Sequence, residues 1–233
     1  KKEQIPWSFE FVTKELGLDP KRLYVSVFRG NSKIGIPRDD ESANIWKEVF
    51  KEAGIEAEVV DNSETKGMQE GRIFYYDEKK TWWSRAGIPE NMNEGEPGGP
   101  DSEMFWDFGE ELRFHEKSEY KVQPCHVNCD CGRFMEIGNN VFMEYKKTAN
   151  GFEKLAKQNV DFGGGLERIA AASINTPDVF GVSVLAPLTA KIDELCMGTD
   201  VRARRIVADH IRTAVFMIGD GVLPSNTERG YIL

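Results

Sequence analysis

The sequence is poor in several features that would point to common classes of protein. It has three histidines and four cysteines in 233 residues, and none forms a Ser-His-Asp or Cys-His pattern typical of nucleophilic catalysis. No apolar run approaches the ~20 residues that a membrane-spanning helix needs, so no membrane partner is expected. Lys and Arg number 30 against 39 Asp and Glu, and the net charge of −9 argues against a broad nucleic-acid-binding surface.

Export signals and disulfides are not indicated either. The first residues, Lys-Lys-Glu-Gln-Ile-Pro-Trp, lack the composition of a signal peptide. They are typical of the interior of a longer protein. Three of the four cysteines lie close together, at Cys125, Cys129 and Cys131. Such a cluster suits a reducing, cytoplasmic compartment, and a metal ion better than disulfides.

Residues for a folded core are plentiful. Hydrophobic residues make up 40% of the chain, with 14 Phe, 6 Tyr and 5 Trp, so a largely disordered chain is not expected. In the first part of the chain, apolar residues at helical spacing predict helices at 5–16 and 39–53. Alternation and β-branched or aromatic residues predict strands at 23–28 and 57–60. These elements together predict an α+β layer.

The rest of the chain is read in the same way. A Gly/Pro-rich stretch at 87–100 predicts a turn-rich or flexible loop. Strands are predicted at 101–108 and 133–145, and helices at 189–197 and 201–218. The region of the last helix carries a local basic patch, formed by Arg202, Arg204, Arg205 and Arg212.

Three consecutive glycines at 163–165 form the most distinctive local pattern. They follow Asp161 and precede apolar residues at helical spacing, so the turn is expected to open a helix that carries Arg168. Such a turn lets a ligand approach the backbone, and the first N–H groups of the helix suit an anion. The pattern matches neither GxGxxG nor a Gly-Lys-Ser/Thr phosphate loop. From the residues alone, Asp161 and Arg168 could equally form an ordinary salt bridge at a helix start.

The order Asp-x-Gly-x-Gly-Leu-Glu-Arg at 161–168 resembles motif 3 of class II aminoacyl-tRNA synthetases, in its alanyl form. Two other stretches resemble the same family. One is Glu-Ile-Gly-Asn-Asn-Val-Phe-Met-Glu-Tyr at 136–145, and the other runs from Asp-His-Ile-Arg at 209–212 to Arg-Gly-Tyr at 229–231. Because the motifs are independent and ordered, the resemblance extends through essentially the whole chain. It implies an antiparallel sheet flanked by helices, followed by an α-helical segment.

The resemblance also implies a site for alanine, ATP and Mg²⁺. The implied alanine-binding residues are Trp83, Asn139, Val141, Asp161 and Gly163, with Asp161 taking the ammonium group. The implied ATP-binding residues are Glu136, Gly165 and Arg168, where Glu136 also holds Mg²⁺ and Arg168 meets the γ-phosphate. From the pattern alone, Trp83 could equally be a core residue. At position 138 the chain has Gly where many members of the family have Trp, which leaves the shape of this side of the implied alanine pocket open.

The resemblance implies a second site, for the acceptor stem of tRNA(Ala). The family uses an asparagine in a Pro-Ser-Asn turn to read the G·U pair of the stem, and that residue corresponds to Asn226. Arg229 would stand beside it and neutralise phosphate charge. From its position, Asn226 could instead be the N-cap of the next helix.

The cysteine cluster is a candidate metal site. Cys125, His126, Cys129 and Cys131 offer four ligands of the types that Zn²⁺ prefers. However, Cys125 and His126 are adjacent, and neighbouring residues seldom bind one ion together. A reduced loop without metal therefore remains the alternative.

The resemblance predicts two parts of the chain. Residues 1–188 would be the C-terminal part of a class II catalytic domain, and residues 189–233 the start of a helical tRNA-recognition domain. The parent activity would convert alanine to alanyl-adenylate with ATP and transfer it to tRNA(Ala). Motifs 1 and 2 are not recognised, so the chain is expected to be a fragment that is inactive alone. The alternative is a non-catalytic module that binds alanine, nucleotide or an acceptor stem.

Overall fold

A mixed sheet of seven strands organises the first of two units in the chain. The structure is a computed structural model that describes residues 1–196, 198 and 200–233, and its two units are Lys1–Pro177 and Asp178–Leu233. The strands of the first unit are β1 (Leu23–Phe28), β2 (Val59–Asp61), β3 (Ile73–Tyr76), β4 (Trp82–Ser84), β5 (Pro97–Asp107), β6 (Phe134–Thr148) and β7 (Gly151–Gly164).

The order across the sheet is β2-β3-β1-β5-β6-β7, and β4 pairs with β5. Strands β1 and β2 each pair with β3 in parallel. The pairs β1–β5, β4–β5, β5–β6 and β6–β7 are antiparallel. The predicted α+β class is therefore confirmed. The antiparallel pairing holds for the half that carries the motif residues, and parallel pairs form the other edge.

The helices of the first unit are α1 (Gln4–Glu10), α2 (Asp40–Glu52), α3 (Ser63–Lys66), α4 (Phe114–Lys117) and α5 (Leu166–Ser173). The longer ones follow the predicted pattern of apolar residues, whereas α3 and α4 are single turns that were not predicted. The helix predicted at 5–16 is α1 with a π-helical continuation, Phe11–Glu15. The start of α2 is set by Asp39, whose side chain accepts a hydrogen bond from the backbone N–H of Ser42 at 3.1 Å.

The main core lies between α1, α2 and one face of the sheet. Trp46 and Phe50 of α2 are fully buried there with Val25 and Val27 of β1, and burying each such side chain contributes roughly 1.5–3 kcal/mol. A smaller apolar cluster covers part of the opposite face. Its members are Val60, Phe74, Tyr76, Phe105, Val127 and Phe134.

Two predicted boundaries are shifted. The strand predicted at 57–60 is β2, Val59–Asp61. In the Gly/Pro-rich stretch, residues 97–100 belong to β5 and not to a loop. The glycines there allow close pairing with β6, because a Cβ on Gly99 would lie 1.9 Å from the carbonyl oxygen of Phe142.

The second unit is helical. Its helices are α6 (Ala186–Leu195), α7 (Val201–Gly219) and α8 (Glu228–Ile232), and the predicted helix end at Met197 lies outside the described residues. The predicted domain boundary after residue 188 lies inside α6, whereas the units separate after Pro177. The assignment of the two parts to catalysis and tRNA recognition stays a prediction. Among the described residues, no helix is both long and apolar enough to cross a membrane.

Candidate active site

Most of the predicted alanine-binding residues lie on adjacent rows across β5, β6 and β7. Glu103 of β5 pairs with Asn139 of β6, which pairs with Gly163 of β7. Asp101, Val141 and Asp161 form the next row in the same way. Directly paired residues, and residues two apart on one strand, share a face of a sheet. The sheet register therefore brings together side chains that are far apart in sequence, such as those of Asp101 and Asp161.

A hydrogen bond connects these two rows. The Nδ2 atom of Asn139 donates to Oδ2 of Asp101 at 3.1 Å. Among the described residues, no hydrogen-bond partner reaches the buried Oδ1 atom of either side chain. Buried polar atoms normally have partners, so two orphan oxygen atoms indicate a place where a polar ligand group would bind. Asn140, the neighbour of Asn139, has a structural role instead, because its Oδ1 atom accepts from Gln4 Nε2 at 3.1 Å.

Asp101 and Glu103 belong to the stretch Gly-Gly-Pro-Asp-Ser-Glu at 98–103, which the resemblance to the family implies to line the active site, although neither residue was given a role of its own from the sequence. Burial, followed by the charge of Glu103, raises the pKa of Asp101 well above its usual value. Burial, followed by the charge of Glu136, raises the pKa of Glu103 to about 7. Glu103 has hydrogen-bond partners of its own: its Oε2 atom accepts from Ser26 Oγ at 2.8 Å and from Asn128 Nδ2 at 3.2 Å. The available signal was the Asp-x-Glu pair itself, whose two side chains share one face of β5. An excess of negative charge of this kind favours a cationic ligand.

The glycines lead into α5 as predicted, but Gly163 and Gly164 are the last residues of β7, and Gly165 alone stands between that strand and the first turn of the helix. Arg168 of α5 reaches back to β6, where its Nη1 atom donates to Oε2 of Glu136 at 3.0 Å and to the Glu136 carbonyl at 3.2 Å. Asp161 is exposed, and its Oδ1 atom accepts from the backbone N–H of Phe162 at 2.8 Å. The alternative that Asp161 and Arg168 pair with each other is therefore wrong.

Gly138 has a definite packing partner. A Cβ at this position would lie 2.8 Å from Cζ of Phe162, so the Phe162 ring occupies the space next to it. Phe162 packs against the main core, and its paired residue on β6 is Asn140, in the row between the two site rows. The departure at Gly138 therefore concerns the core side of the sheet. A tryptophan there would require Phe162 to move.

Trp83 is not a core residue. Its side chain is 37% exposed, while its neighbour Trp82 is 6% exposed and packs against Phe28, Tyr145 and Phe152. Trp83 pairs with Gly99 of β5, two residues before Asp101. The core interpretation is excluded, and a role in the wall of an alanine pocket stays a prediction.

The cysteine cluster forms with a different histidine. The ligand atoms of His115, Cys125, Cys129 and Cys131 all lie within 4.8 Å of one another. The prediction that His126 completes the set is wrong, because its Nδ1 atom lies 2.8 Å from the hydroxyl of Tyr76. Burial also lowers the pKa of His126. In the thiols, burial and the neighbouring Cys131 raise the pKa of Cys125 to about 12.

The predicted tRNA-binding residues lie in the second unit. Asn226 is exposed, Arg229 lies in α8, and the N-cap of α8 is Thr227. The alternative that Asn226 is this N-cap is therefore wrong. The basic patch of α7 is largely neutralised within the unit. Its ion pairs are Arg204–Asp193, Arg205–Asp178 and Arg212–Asp209.

Comparisons with known proteins agree with these motifs. A family model described as tRNA synthetases class II (A) matches residues 1–233. The chain is similar to alanine–tRNA ligases of Borrelia hermsii (36% identical, covering 100% of this chain and 36% of the relative) and Treponema denticola (36%, covering 100% and 35%). It is also similar to that of Thermoanaerobacter sp. strain X514 (35%, covering 100% and 23%). The chain thus spans about a third or less of the length of these relatives.

Proposed function

Because the chain belongs to the family of class II tRNA synthetases, we propose that it carries the amino-acid and ATP sites of an alanine–tRNA ligase. The observation that carries this proposal is the pair of adjacent rows, Glu103–Asn139–Gly163 and Asp101–Val141–Asp161, beside the glycine turn. These rows combine carboxylates, an amide with an orphan oxygen and a small apolar side chain. Such a combination suits the ammonium group and the methyl group of alanine.

Activation of an amino acid needs positioning and charge neutralisation more than a nucleophilic side chain. A carboxylate oxygen of alanine attacks the α-phosphorus of ATP in line with the bond to the leaving pyrophosphate. That P–O bond breaks, and alanyl-adenylate and pyrophosphate form. The protein's task in this step is to hold the two substrates in line and to balance the phosphate charge.

The alanine subsite uses charge and size together. Asp161 takes the ammonium group in a charge-assisted hydrogen bond, and the orphan Oδ1 atom of Asn139 accepts a second one. Val141, which is 5% exposed, presents an apolar wall to the methyl group. At Gly163 an added Cβ would meet no described atom within 4 Å, so the open space beside its backbone is available to the substrate.

The nucleotide subsite lies at the turn that opens α5. Gly165 lets the backbone approach the phosphates, and Arg168, whose side chain is 50% exposed, meets the γ-phosphate. Glu136 would hold Mg²⁺, since carboxylate oxygens are the ligands that Mg²⁺ prefers. The charge of Glu136 also contributes to the raised pKa of Glu103, so negative charge is concentrated at this place. When bound, Mg²⁺ neutralises phosphate charge. Arg168 exchanges its bond with Glu136 for one with ATP.

Transfer to tRNA(Ala) completes the activity. A ribose hydroxyl at the end of the tRNA attacks the carbonyl carbon of alanyl-adenylate, and AMP leaves. Asn226 would read the edge of a base pair in the wide, shallow minor groove of the acceptor stem, since an amide both donates and accepts. Arg229 would neutralise nearby phosphate. The exposure of Asn226 supports this role.

Pyrophosphate exchange into ATP tests the proposal, measured on the protein in its natural length with each amino acid in turn. We expect exchange with alanine and weaker exchange with glycine, which lacks the methyl group that Val141 contacts. Aminoacylation of tRNA(Ala) should follow in the same preparation. Faster exchange with an amino acid other than alanine would refute the alanine assignment. Binding of alanine without any exchange would identify a non-catalytic module.

A further inference from the structure

We propose that His115, Cys125, Cys129 and Cys131 form a structural zinc site in the loop between β5 and β6. The four ligand atoms come from two segments of this loop and lie within 4.8 Å of one another. Cys129 and Cys131 are buried, and His115 and Cys125 are partly buried. A closed set of four Cys and His ligands is typical of structural zinc, whereas a catalytic site keeps one position open.

The distances fit a tetrahedral ion. With Zn–S near 2.3 Å and Zn–N near 2.0–2.1 Å, two sulfur ligands stand about 3.8 Å apart and a sulfur and a nitrogen about 3.6 Å apart. The Sγ atoms of Cys125 and Cys131 are 3.9 Å apart. Sγ of Cys129 lies 3.6 Å from Nδ1 of His115. A disulfide would instead bring two sulfur atoms to about 2.0 Å, so the cluster has the spacing of ligands around an ion.

The histidine is held in the form that binds a metal. The Nε2 atom of His115 lies 2.8 Å from the carbonyl oxygen of Gln123. A carbonyl only accepts, so Nε2 carries the proton and donates it. This tautomer leaves the lone pair of Nδ1 directed at the cysteine cluster. Metal-binding histidines typically donate their other ring N–H to a carbonyl or carboxylate in this way.

The loop has little else to order it. Within residues 109–133, all of which are described, Val127 is the one aliphatic or aromatic side chain that is fully buried, while Leu112 and Val122 are exposed. Regular structure in this loop is limited to α4 and the 3₁₀ turn Glu110–Leu112. In a segment that buries so little apolar surface, a metal staple adds stability that the apolar core does not supply. Zinc binding supplies this, as the three thiols release their protons and the ion gains three thiolates and one imidazole.

The ordered loop in turn supports the candidate active site. Asn128, between the ligands His115 and Cys129 in sequence, donates from Nδ2 to Oε2 of Glu103 at 3.2 Å. Val127 packs against the sheet in the cluster with Phe105 and Phe134. The zinc site is therefore expected to position Asn128 against Glu103. The metal assignment itself does not depend on the proposed synthetase activity.

The test is metal analysis of the chain purified without chelator, with matched variants. We expect one zinc per chain in the wild type and in His126→Ala, which removes the neighbouring histidine that bonds Tyr76. Cys196→Ser, which changes the cysteine of the second unit, is likewise expected to keep its zinc. His115→Ala should lower the zinc affinity at least about tenfold, since loss even of a group that orients a ligand costs about 10–100-fold. His115→Cys should retain zinc as a four-cysteine site.

A second measurement covers variants that fail to fold. The wild type is stripped by a chelator and titrated with Co²⁺, and the visible absorption of tetrahedral cobalt thiolate is expected to saturate at one ion per chain and to vanish on addition of Zn²⁺. The absence of zinc from the purified wild type together with no cobalt spectrum would overturn the site. Zinc retained by His115→Ala but lost by His126→Ala would overturn the ligand set.

Discussion

Asn139 on β6 donates a hydrogen bond from Nδ2 to Oδ2 of Asp101 on β5, at 3.1 Å. The bond orients the amide, because its donor is engaged by a carboxylate that is itself 4% exposed. The Oδ1 atom of Asn139 then remains as the acceptor, with no partner among the described residues. An ammonium group only donates. Under the proposed function, Asp101 thus leaves Asn139 as an acceptor for the ammonium group of alanine.

The pH dependence of stability should report Glu103. Its pKa is raised to about 7 by burial and by the charge of Glu136. Between pH 4.5 and 7 the folded protein therefore holds a proton that the unfolded chain has lost. The resulting contribution to stability is complete below about pH 4.5 and is lost as the pH rises through 7, and it amounts to on the order of 3 kcal/mol.

Glu103→Gln removes this titration and keeps an oxygen that accepts from Ser26 and Asn128. Urea unfolding at a series of pH values is expected to show the free energy of unfolding of the wild type falling relative to the variant across this window. If the two profiles stay parallel from pH 4.5 to 8, Glu103 titrates normally.

Asp161→Asn should weaken alanine much more than ATP. The charge-assisted bond to the ammonium group becomes a neutral one, which costs on the order of 1.5–3 kcal/mol, or about 10–150-fold in affinity. Steady-state pyrophosphate exchange by the protein in its natural length gives the KM of both substrates. Glu153→Gln is a matched control, since Glu153 is also an exposed acid of β7. Equal losses for alanine and ATP would mean that Asp161 is structural.

Gly163→Ala should separate ligand binding from folding. No described atom lies within 4 Å of the Cβ that this change adds, so we expect the melting temperature to hold. Alanine binding should fall about tenfold if the substrate occupies that space, as a displaced contact of about 1.4 kcal/mol would produce. Calorimetric titration measures it. Gly99→Ala is the opposite control, because its Cβ would lie 1.9 Å from Phe142 O and should destabilise the fold by about 1–3 kcal/mol or more. Unchanged alanine affinity in Gly163→Ala would remove Gly163 from the site.

Asn226→Asp should reduce charging of tRNA(Ala) without affecting alanyl-adenylate formation. The change removes an amide donor and adds a negative charge that would face RNA, and we expect a loss of at least about tenfold. Aminoacylation and pyrophosphate exchange are compared on the protein in its natural length. Because Thr227 is the N-cap of α8, the melting temperature should not change. Normal charging by the variant would exclude Asn226 from stem recognition.

The sequence by itself determined the local elements of this protein and the places of its motifs. The strand predicted at 23–28 is β1, and the helix predicted at 39–53 is α2 with Asp39 as its cap. These features depend on the spacing of apolar residues and on capping side chains within a few positions, which is local information. For the same reason, the glycine turn could be recognised as the start of α5.

Only the tertiary structure decided which side chains meet. Arg168 bonds Glu136 rather than Asp161, Asn139 bonds Asp101, and the cysteines meet His115 rather than the adjacent His126. Pairing register places residues of β5, β6 and β7 in common rows, and a shift of one residue would turn each side chain to the opposite face. Consecutive residues point in different directions, so His126 faces Tyr76 while Cys125 faces the cluster. Partners of this kind are set by the packing of distant segments, which no local spacing encodes.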